Sequence, residues 1–216
     1  MIATRHRTDS PPALARPAGF AVRREHRVQV MAALRERPEF NIGRRLLDDH
    51  RAYVASIDGI DVAWGWVATA TAVISELQSS FDIPKHQRYL WNFVTLSSYR
   101  GLGIYPRLLD ETVRIESREA DRFWVAYAPE NHASGAGIHK AGFQTVAQIS
   151  FDRHGRPALR MLLDDAANPA CMLGLPNLEE ALAQCWRCVR MGRTVEASCR
   201  PDACQCDYQQ PLVECA

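Results

Sequence analysis

The sequence predicts an α/β fold in which a mixed β-sheet is flanked by helices. Hydrophobic and charged residues make up 47% and 24% of the 216 residues, the balance of a chain with a real core. An alternating segment, Ala52–Ile57, meets the turn signal Asp58-Gly59 and is followed by a second apolar segment, so a β-hairpin is expected. Beyond the hairpin, strand and helix patterns alternate, which is typical of a β-α-β crossover.

The elements follow in chain order. The segment 1–19 carries prolines and arginines with few apolar residues, so we expect a flexible arm. A short strand at Phe20–Val22 and two short helices broken by Pro38 precede the hairpin, whose second strand is predicted over Val62–Ile74. The later strands are predicted over 88–96, 123–128, 143–151 and 158–163, and the later helices over 104–117 and 131–140.

The last part of the chain, residues 164–216, differs from the rest. A helix is predicted from Asn177 to about Met191, because Asn followed by Glu three residues later is a capping pattern. Most of the seven cysteines follow. Those that could supply four thiolates to zinc are Cys185, Cys188, Cys204 and Cys206. Their spacing is unlike that of zinc sites, so unliganded or buried thiols are favoured over zinc or a redox disulfide.

The composition excludes several classes of partner. A net charge of +1 and a pI of about 7.7 give no field that attracts nucleic acid or an anionic membrane. The longest apolar stretch, Val62–Val73, falls short of the roughly 20 residues that a membrane span needs. No apolar stretch follows the first arginines, as it would in a secretory signal. We therefore expect a cytoplasmic protein without nucleic-acid or membrane partners. A homodimer is one of the possible assemblies.

The segment 91–105 carries the chemistry. An apolar strand leads into Arg100-Gly-Leu-Gly103, and a helix begins at once. Glycines let the backbone fold close to a phosphate, and successive N–H groups and the helix N-terminus attract an anion. The pattern predicts an anion site, and an ordinary tight turn is the alternative.

A second motif follows one strand later. It consists of Asn131, Ser134, Lys140, Gly142 and Phe143. Together with Arg100-x-x-Gly103-x-Tyr105, it resembles the GNAT superfamily of N-acetyltransferases, most sharply over 91–151. The resemblance implies a mostly antiparallel sheet whose central parallel pair splays apart around CoA. It also implies direct transfer of acetyl from acetyl-CoA to a small-molecule or peptide amine in a ternary complex.

The resemblance implies a role for each matching position. The strand at Val94, Thr95 and Leu96 would present backbone groups to the pantetheine arm and to the developing oxyanion. Asn131 would face the pantetheine arm near its sulfur. The pyrophosphate would be held by the loop amides of Arg100, Gly101, Leu102, Gly103, Ile104 and Tyr105.

Two positions depart from the family pattern. The last loop position, usually Gly or Ala, is Tyr105, whose side chain must point away from the phosphates or alter the cofactor pose. The helix position that often carries a general-acid tyrosine is Ile138. The residues that could substitute for that acid are Ser134, Tyr127 and His139.

Attack on the thioester needs a neutral amine, so some group must accept its proton. Glu76 is the first candidate for this base, ahead of Asp82 and His86, and solvated loop residues are the alternative. Trp64 and Trp66 lie two apart and therefore point to one face of their strand. Core packing is favoured there over an apolar acceptor groove.

The predicted organisation is an arm over 1–19, an acetyltransferase domain over 20–163, and a helix with a Cys-rich tail over 164–216. One alternative is a non-catalytic or regulatory protein of the same fold with a metal- or redox-responsive tail. Another is an acyltransferase that uses a longer acyl-CoA.

Overall fold

The structure is a computed structural model that describes residues 1–35, 39–74, 77, 79–151, 156–163, 168–178, 185, 186 and 188. The strands in this part of the chain are β1 (Ile2–His6), β2 (Phe20–Glu25), β3 (His50–Ile57), β4 (Ile60–Ala68), β5 (Thr71–Ile74), β6 (Ser79–Asp82), β7 (Gln87–Thr95), β8 (Arg122–Ala126), β9 (Gln144–Phe151) and β10 (Pro157–Met161). The α-helices are α1 (Val28–Arg35), α2 (Glu39–Leu47), α3 (Ile104–Glu116), α4 (His132–Lys140) and α5 (Pro169–Leu173).

Eight strands form one sheet in the order β10-β9-β1-β8-β7-β4-β3-β2. Every neighbouring pair is antiparallel except β7 and β8, which are parallel and joined through α3. The predicted fold class, a mostly antiparallel mixed sheet with one central parallel pair, is therefore confirmed. Within the described residues, the helices are all too short or too polar to cross a bilayer.

The prediction of a flexible arm over 1–19 is wrong for its first residues. β1 lies inside the sheet, between β8 and β9, and is antiparallel to both. Ile2 and Ala3 are at most 1% exposed. The folded unit therefore begins before the predicted boundary at Phe20.

The polar residues of β1 explain why its pattern did not predict a strand. The Thr4 hydroxyl donates to the Phe123 carbonyl, and the Arg5 guanidinium donates to the Asp110 carboxylate at 2.7 Å and to the Ala141 carbonyl. A buried arginine is tolerated only because these partners exist. They come from parts of the chain more than a hundred residues away, so no local signal reports them.

The two faces of the sheet carry different helices. On one face, α3 and α4 pack through Leu108, Leu109 and Ile138. On the other face, Met31 of α1 and Ile42 of α2 cover β4, while α5 and the β5–β6 hairpin pack beside them. Trp64 and Trp66 both lie in the cluster under α1 and α2, so their predicted common face is confirmed and both contribute to the core.

The predicted strand over Val62–Ile74 is two strands. β4 ends at Ala68, and β5 pairs with β6 in a separate two-stranded sheet that the sequence analysis missed. The Thr69 hydroxyl donates to the Asp49 carbonyl at the break, which ties the bend to the neighbouring loop. Apolar residues on both sides of this bend hide it in the sequence.

The predicted helix over 177–191 does not begin at Asn177. Asn177 instead forms an isolated parallel bridge with Leu159, and the Leu178 amide donates to the Leu159 carbonyl. Most of the remaining helix prediction lies outside the described residues.

Candidate active site

The parallel strands β7 and β8 are paired over only part of their length. Their register joins Gln87–Leu90 to Arg122–Val125 and ends there, although β7 continues to Thr95. On its other side, β7 carries an extra residue opposite Gly65, and Asn92 there has a φ of 52°. Such a bulge bends and twists a strand. We call the space between the unpaired half of β7 and helix α4 the cleft.

The ladder between β7 and β4 decides which backbone groups face this cleft. The Leu96 amide donates to the Val62 carbonyl at 2.9 Å, and Val94 is opposite Trp64 in the same register. Because alternate residues of an antiparallel strand bond to the same neighbour, the backbone groups of Thr95 point to the other side, toward the cleft. Of the three residues predicted to meet a pantetheine arm, only Thr95 is so oriented. The prediction for Val94 and Leu96 is therefore corrected.

Two glycines shape the loop after β7. Gly101 and Gly103 have φ values of 82° and 69°, and Gly103 is the N-cap of α3. L-residues rarely adopt this left-handed conformation. The Arg100 amide donates to the Ser97 carbonyl, so it is used within the 3-10 turn that precedes the loop and is not free for a phosphate as predicted.

Arg107 fixes the direction of the loop. Its guanidinium donates to the Leu102 carbonyl at 3.2 Å and to the Gly103 carbonyl at 2.5 Å. It also donates to the Ala15 carbonyl. With the carbonyls turned toward Arg107, the amides of the loop and of the first turn of α3 are free to face a ligand. Among the described residues, no carbonyl outside the helix accepts from the amides of residues 101–105.

The charge around this loop is positive. α3 is thirteen residues long and has no acidic residue in its first turn. The helix N-terminus contributes about half a positive charge, and Arg100 and Arg107 stand beside the loop. The arrangement suits an anion with several oxygens, such as a pyrophosphate.

The Tyr105 side chain crosses from α3 to α4. Its hydroxyl and that of Ser134 are hydrogen-bonded at 3.1 Å, and its ring is 6.5 Å from that of Phe93, nearly perpendicular to it. A Cβ at Gly137 would lie 2.3 Å from the tyrosine ring, so the ring rests directly on the backbone of α4. Burial raises the pKa of Tyr105 to about 12, and the phenol is neutral at physiological pH.

Two further aromatic rings in the cleft rest on glycines. A Cβ at Gly65 would overlap the Phe93 ring at 2.4 Å, and a Cβ at Gly135 would lie 2.8 Å from that of Tyr127. Glycine inside a helix costs about 1 kcal/mol relative to alanine. The two glycines of α4 were the sequence signal that something large lies against this helix, and the sequence analysis missed it.

The predicted site residues on α4 have defined partners. The Asn131 side-chain oxygen accepts from the Ser134 amide and caps the helix, so the cap uses this oxygen and not the side-chain NH2 group. His139 is exposed and is hydrogen-bonded through Nε2 to the Thr145 hydroxyl, which also contacts the Tyr127 hydroxyl at 2.9 Å. The structure thus brings Ser134, Tyr105 and Asn131 together at the start of α4, and leaves His139 with Tyr127.

Of the candidates for a general base, the structure describes Asp82 and His86. Glu76, the first candidate, lies outside the described residues. Asp82 is exposed on β6. His86 lies before β7, at the end opposite the glycine loop, with Nδ1 3.4 Å from the Glu119 carbonyl. Ile138 is fully buried.

The cysteine predictions are only partly within the described residues. Cys185 and Cys188 are buried, and Cys171 is exposed. In that same portion of the chain, no three His, Cys, Asp or Glu side chains are close enough to hold a metal. Cys204 and Cys206 fall outside it.

No protein-family model matches the chain, and no curated protein matches it. Similar solved structures include a GCN5-related N-acetyltransferase from Kribbella flavida (15% identity, TM-score 0.45, covering 66% of this chain and 52% of that chain). Another is AAC(6')-Iy in complex with the bisubstrate analogue CoA-S-monomethyl-acetylneamine (16% identity, TM-score 0.47, 58% and 91%). A third is the ribosomal-protein-S18-alanine N-acetyltransferase from Escherichia coli (15% identity, TM-score 0.46, 62% and 82%). The chain spans about half the length of the Kribbella protein, and at these identities its own site has to carry the functional assignment.

Proposed function

We propose that the protein is an acyltransferase of the GNAT type, which transfers an acyl group, most simply acetyl from acetyl-CoA, to an amine. The observation that carries the proposal is the glycine loop at the start of α3. Its carbonyls are held by Arg107, its two glycines are left-handed, and its amides from 101 to 105 are not used by carbonyls of the described loops. A loop with such donors at a helix N-terminus fits a pyrophosphate.

The position of the loop relative to the cleft meets a second requirement for binding acyl-CoA, which is a path for the pantetheine arm. The loop follows directly on the unpaired half of β7, where the Thr95 amide points away from β4 and the Thr95 carbonyl accepts from Arg100 Nε at 3.3 Å. A pyrophosphate on the loop would direct its pantetheine arm past Thr95 and the side-chain NH2 group of Asn131. The residues present therefore fit both halves of the ligand, provided that the Tyr105 ring makes way.

The chain's own groups would act in three ways. A cleft-facing amide of β7 would donate to the thioester oxygen as negative charge develops on it. Water or a carboxylate near the cleft would accept the proton of the attacking amine. The Ser134 hydroxyl would donate to the departing thiolate, a modest demand because a thiol has a pKa of about 8.5.

The test is ligand binding followed by turnover. The thermal unfolding midpoint should rise with acetyl-CoA, since a ligand at about 100 times its Kd adds roughly 2.7 kcal/mol. For a chain of this size, that is a shift of about 5–10 °C. Release of CoA from acetyl-CoA with a panel of amines should then be followed by chromatography, because the protein's own cysteines would react with thiol reagents.

ATP at the same concentration is the control for general polyphosphate binding. A midpoint raised equally by ATP and acetyl-CoA would indicate an anion loop without an acyl-CoA cleft. No rise with acetyl-CoA or with longer acyl-CoA esters would contradict the proposed function.

A further inference from the structure

We propose that Tyr105 gates the cleft: its side chain closes the route of the pantetheine arm and must leave Ser134 before acyl-CoA can bind. The proposal rests on the proposed function and extends it to the residue that controls access. Tyr105 stands where the resembling family has Gly or Ala, so this chain places a large side chain where that family has almost none.

The first step is the position of the ring. Tyr105 belongs to the first turn of α3, next to the loop that would hold the phosphates. Its ring extends to the unpaired half of β7, where it meets Phe93, and its hydroxyl reaches Ser134 of α4. The side chain therefore joins β7 and α4, the two walls of the cleft, at the side where the loop lies.

The second step is the lack of space beside the ring. Gly137 leaves no more than contact distance between α4 and the tyrosine, since even a Cβ there would overlap the ring. On the opposite side, Phe93 is itself pressed against Gly65. A pantetheine arm that runs from the loop toward Asn131 has to pass between β7 and α4, which is the space the ring fills.

The third step is that the ring can move without disturbing the helix. Ile104 and Pro106, its neighbours in the sequence, are buried and anchor α3, so the helix can stay in place while the less buried Tyr105 side chain rotates. A hydrogen bond between two neutral hydroxyls is the polar contact described for its tip. Losing such a bond shifts an equilibrium by roughly tenfold or less, so rotation of the side chain is within reach of ligand binding energy.

The gate has a quantitative consequence. If only a fraction of the molecules has the cleft open, the apparent Kd for acyl-CoA is the intrinsic Kd divided by that fraction. Removing the gate should then tighten binding. A residue that contacts the ligand would have the opposite effect when it is truncated.

The experiment compares the wild-type protein with Tyr105→Ala and Tyr105→Phe in acetyl-CoA titrations by calorimetry. We expect Tyr105→Ala to bind at least about tenfold more tightly and Tyr105→Phe, which loses only the bond to Ser134, about two- to tenfold more tightly. Tyr53→Phe is the matched control, because Tyr53 loses a hydroxyl hydrogen bond at the far end of α3. Its acetyl-CoA affinity should equal that of the wild type.

A second ligand separates gating from general loosening of the site. 3′-Phosphoadenosine 5′-diphosphate carries the pyrophosphate but has no pantetheine arm, so its affinity should change by less than twofold in all variants. Equal tightening for both ligands would overturn the gate. Tyr105→Phe keeps the ring and supports the test even if Tyr105→Ala does not fold.

The two proposals fail in different ways. If the wild type binds acetyl-CoA and Tyr105→Ala binds it no more tightly, the gate is wrong and the proposed function stands. If neither the wild type nor either variant binds acetyl-CoA, both are wrong. Binding by Tyr105→Ala alone would support the gate in its strongest form.

Discussion

The two ends of α3 are built in opposite ways. At its N-terminal end, the helix begins in an exposed loop with left-handed glycines and free backbone donors. At its C-terminal end, the Glu116 carboxylate is 1% exposed and is bonded by Arg51, Arg88 and the Tyr53 hydroxyl. The buried charge has a full set of partners, whereas the exposed loop has donors without partners.

The difference separates scaffold from site. Removing a buried ion from water is costly unless every lone pair is satisfied, so a completed network such as that of Glu116 serves the fold. Donors without partners cost little at the surface, and they remain available for an outside anion. Substitutions at the C-terminal end of α3 should therefore affect stability, and substitutions at its N-terminal loop should affect ligand binding.

The largest effect is expected at the C-terminal end of α3, where Glu116 lies. Glu116→Gln removes the buried one of the two carboxylates that Arg51 and Arg88 share and leaves them the exposed Glu119. The expected cost is about 3 kcal/mol, the lower end of the range for breaking a buried ion pair. Denaturant unfolding should show this loss. The acetyl-CoA affinity of the fraction that remains folded should stay within twofold of wild type, and a tenfold weaker affinity would show that the two ends are not independent.

The next largest effect is expected at the loop. Gly103→Val should weaken acetyl-CoA binding by at least about 100-fold, because a β-branched residue resists the left-handed conformation and covers the loop amides. Gly59→Val is the matched control: Gly59 has a φ of 81° in the β3–β4 turn with nothing within 4 Å of an added Cβ. Gly59→Val should lose some stability from the left-handed conformation, less than Gly103→Val, whose Cβ would also lie 2.2 Å from Arg107 Nη1, and its affinity should be unchanged. Equal affinities of the two variants would remove the loop from the site.

A second buried carboxylate with several hydrogen-bond donors, that of Glu25, predicts that the stability of the fold depends on pH. Glu25 is 3% exposed, and hydrogen bonds from the Arg27 side chain, followed by those from the backbone amides of Arg27 and His26, hold its pKa well below its usual range. A depressed carboxyl pKa stabilises the fold above the unfolded-state value of about 4.5, and that stabilisation is lost as the pH falls through the folded-state pKa.

Glu25→Gln tests this effect. At pH 7 it should cost about 1–2 kcal/mol, since the exposed Arg27 is screened by water. Between pH 5 and 3, its free energy of unfolding should fall less than that of the wild type. Parallel pH profiles for the two proteins would contradict the assignment.

The smallest effect is expected from Tyr53→Phe. Its hydroxyl donates to Glu116 at 2.5 Å, yet the carboxylate keeps both arginines when the hydroxyl is lost. We expect a loss of about 1 kcal/mol in unfolding experiments. A loss as large as that of Glu116→Gln would mean that the network depends on the tyrosine more than on the ion pairs.

Local patterns predicted most of the elements that frame the site. The turn at Asp58-Gly59, the strand ending at Thr95, the glycine loop and α3 all lie within a residue or two of their predicted positions. These elements are encoded by periodicity and by turn and capping residues, which act over a few neighbours. The cap of α4 by Asn131 belongs to the same class.

The errors concern contacts between distant segments. β1 was missed because Arg5 is compatible with a buried strand only beside Asp110. The predicted backbone roles of Val94 and Leu96 conflict with their hydrogen bonds: Val94 pairs with β4, the Leu96 amide donates to Val62, and the Leu96 carbonyl accepts from the Tyr99 amide. The bulge at Asn92 and the glycines under Phe93, Tyr105 and Tyr127 likewise depend on which surfaces meet.

The sequence by itself determined the order of strands and helices from β7 to β10, the anion loop and the unusual tyrosine at its end, because each depends on a short run of residues. Only the tertiary structure decided that β1 joins the centre of the sheet, that Thr95 faces the cleft, and that Tyr105 lies across it. The physical reason is that burial, strand pairing and close approach at glycine are properties of two segments in contact, and neither segment carries them alone.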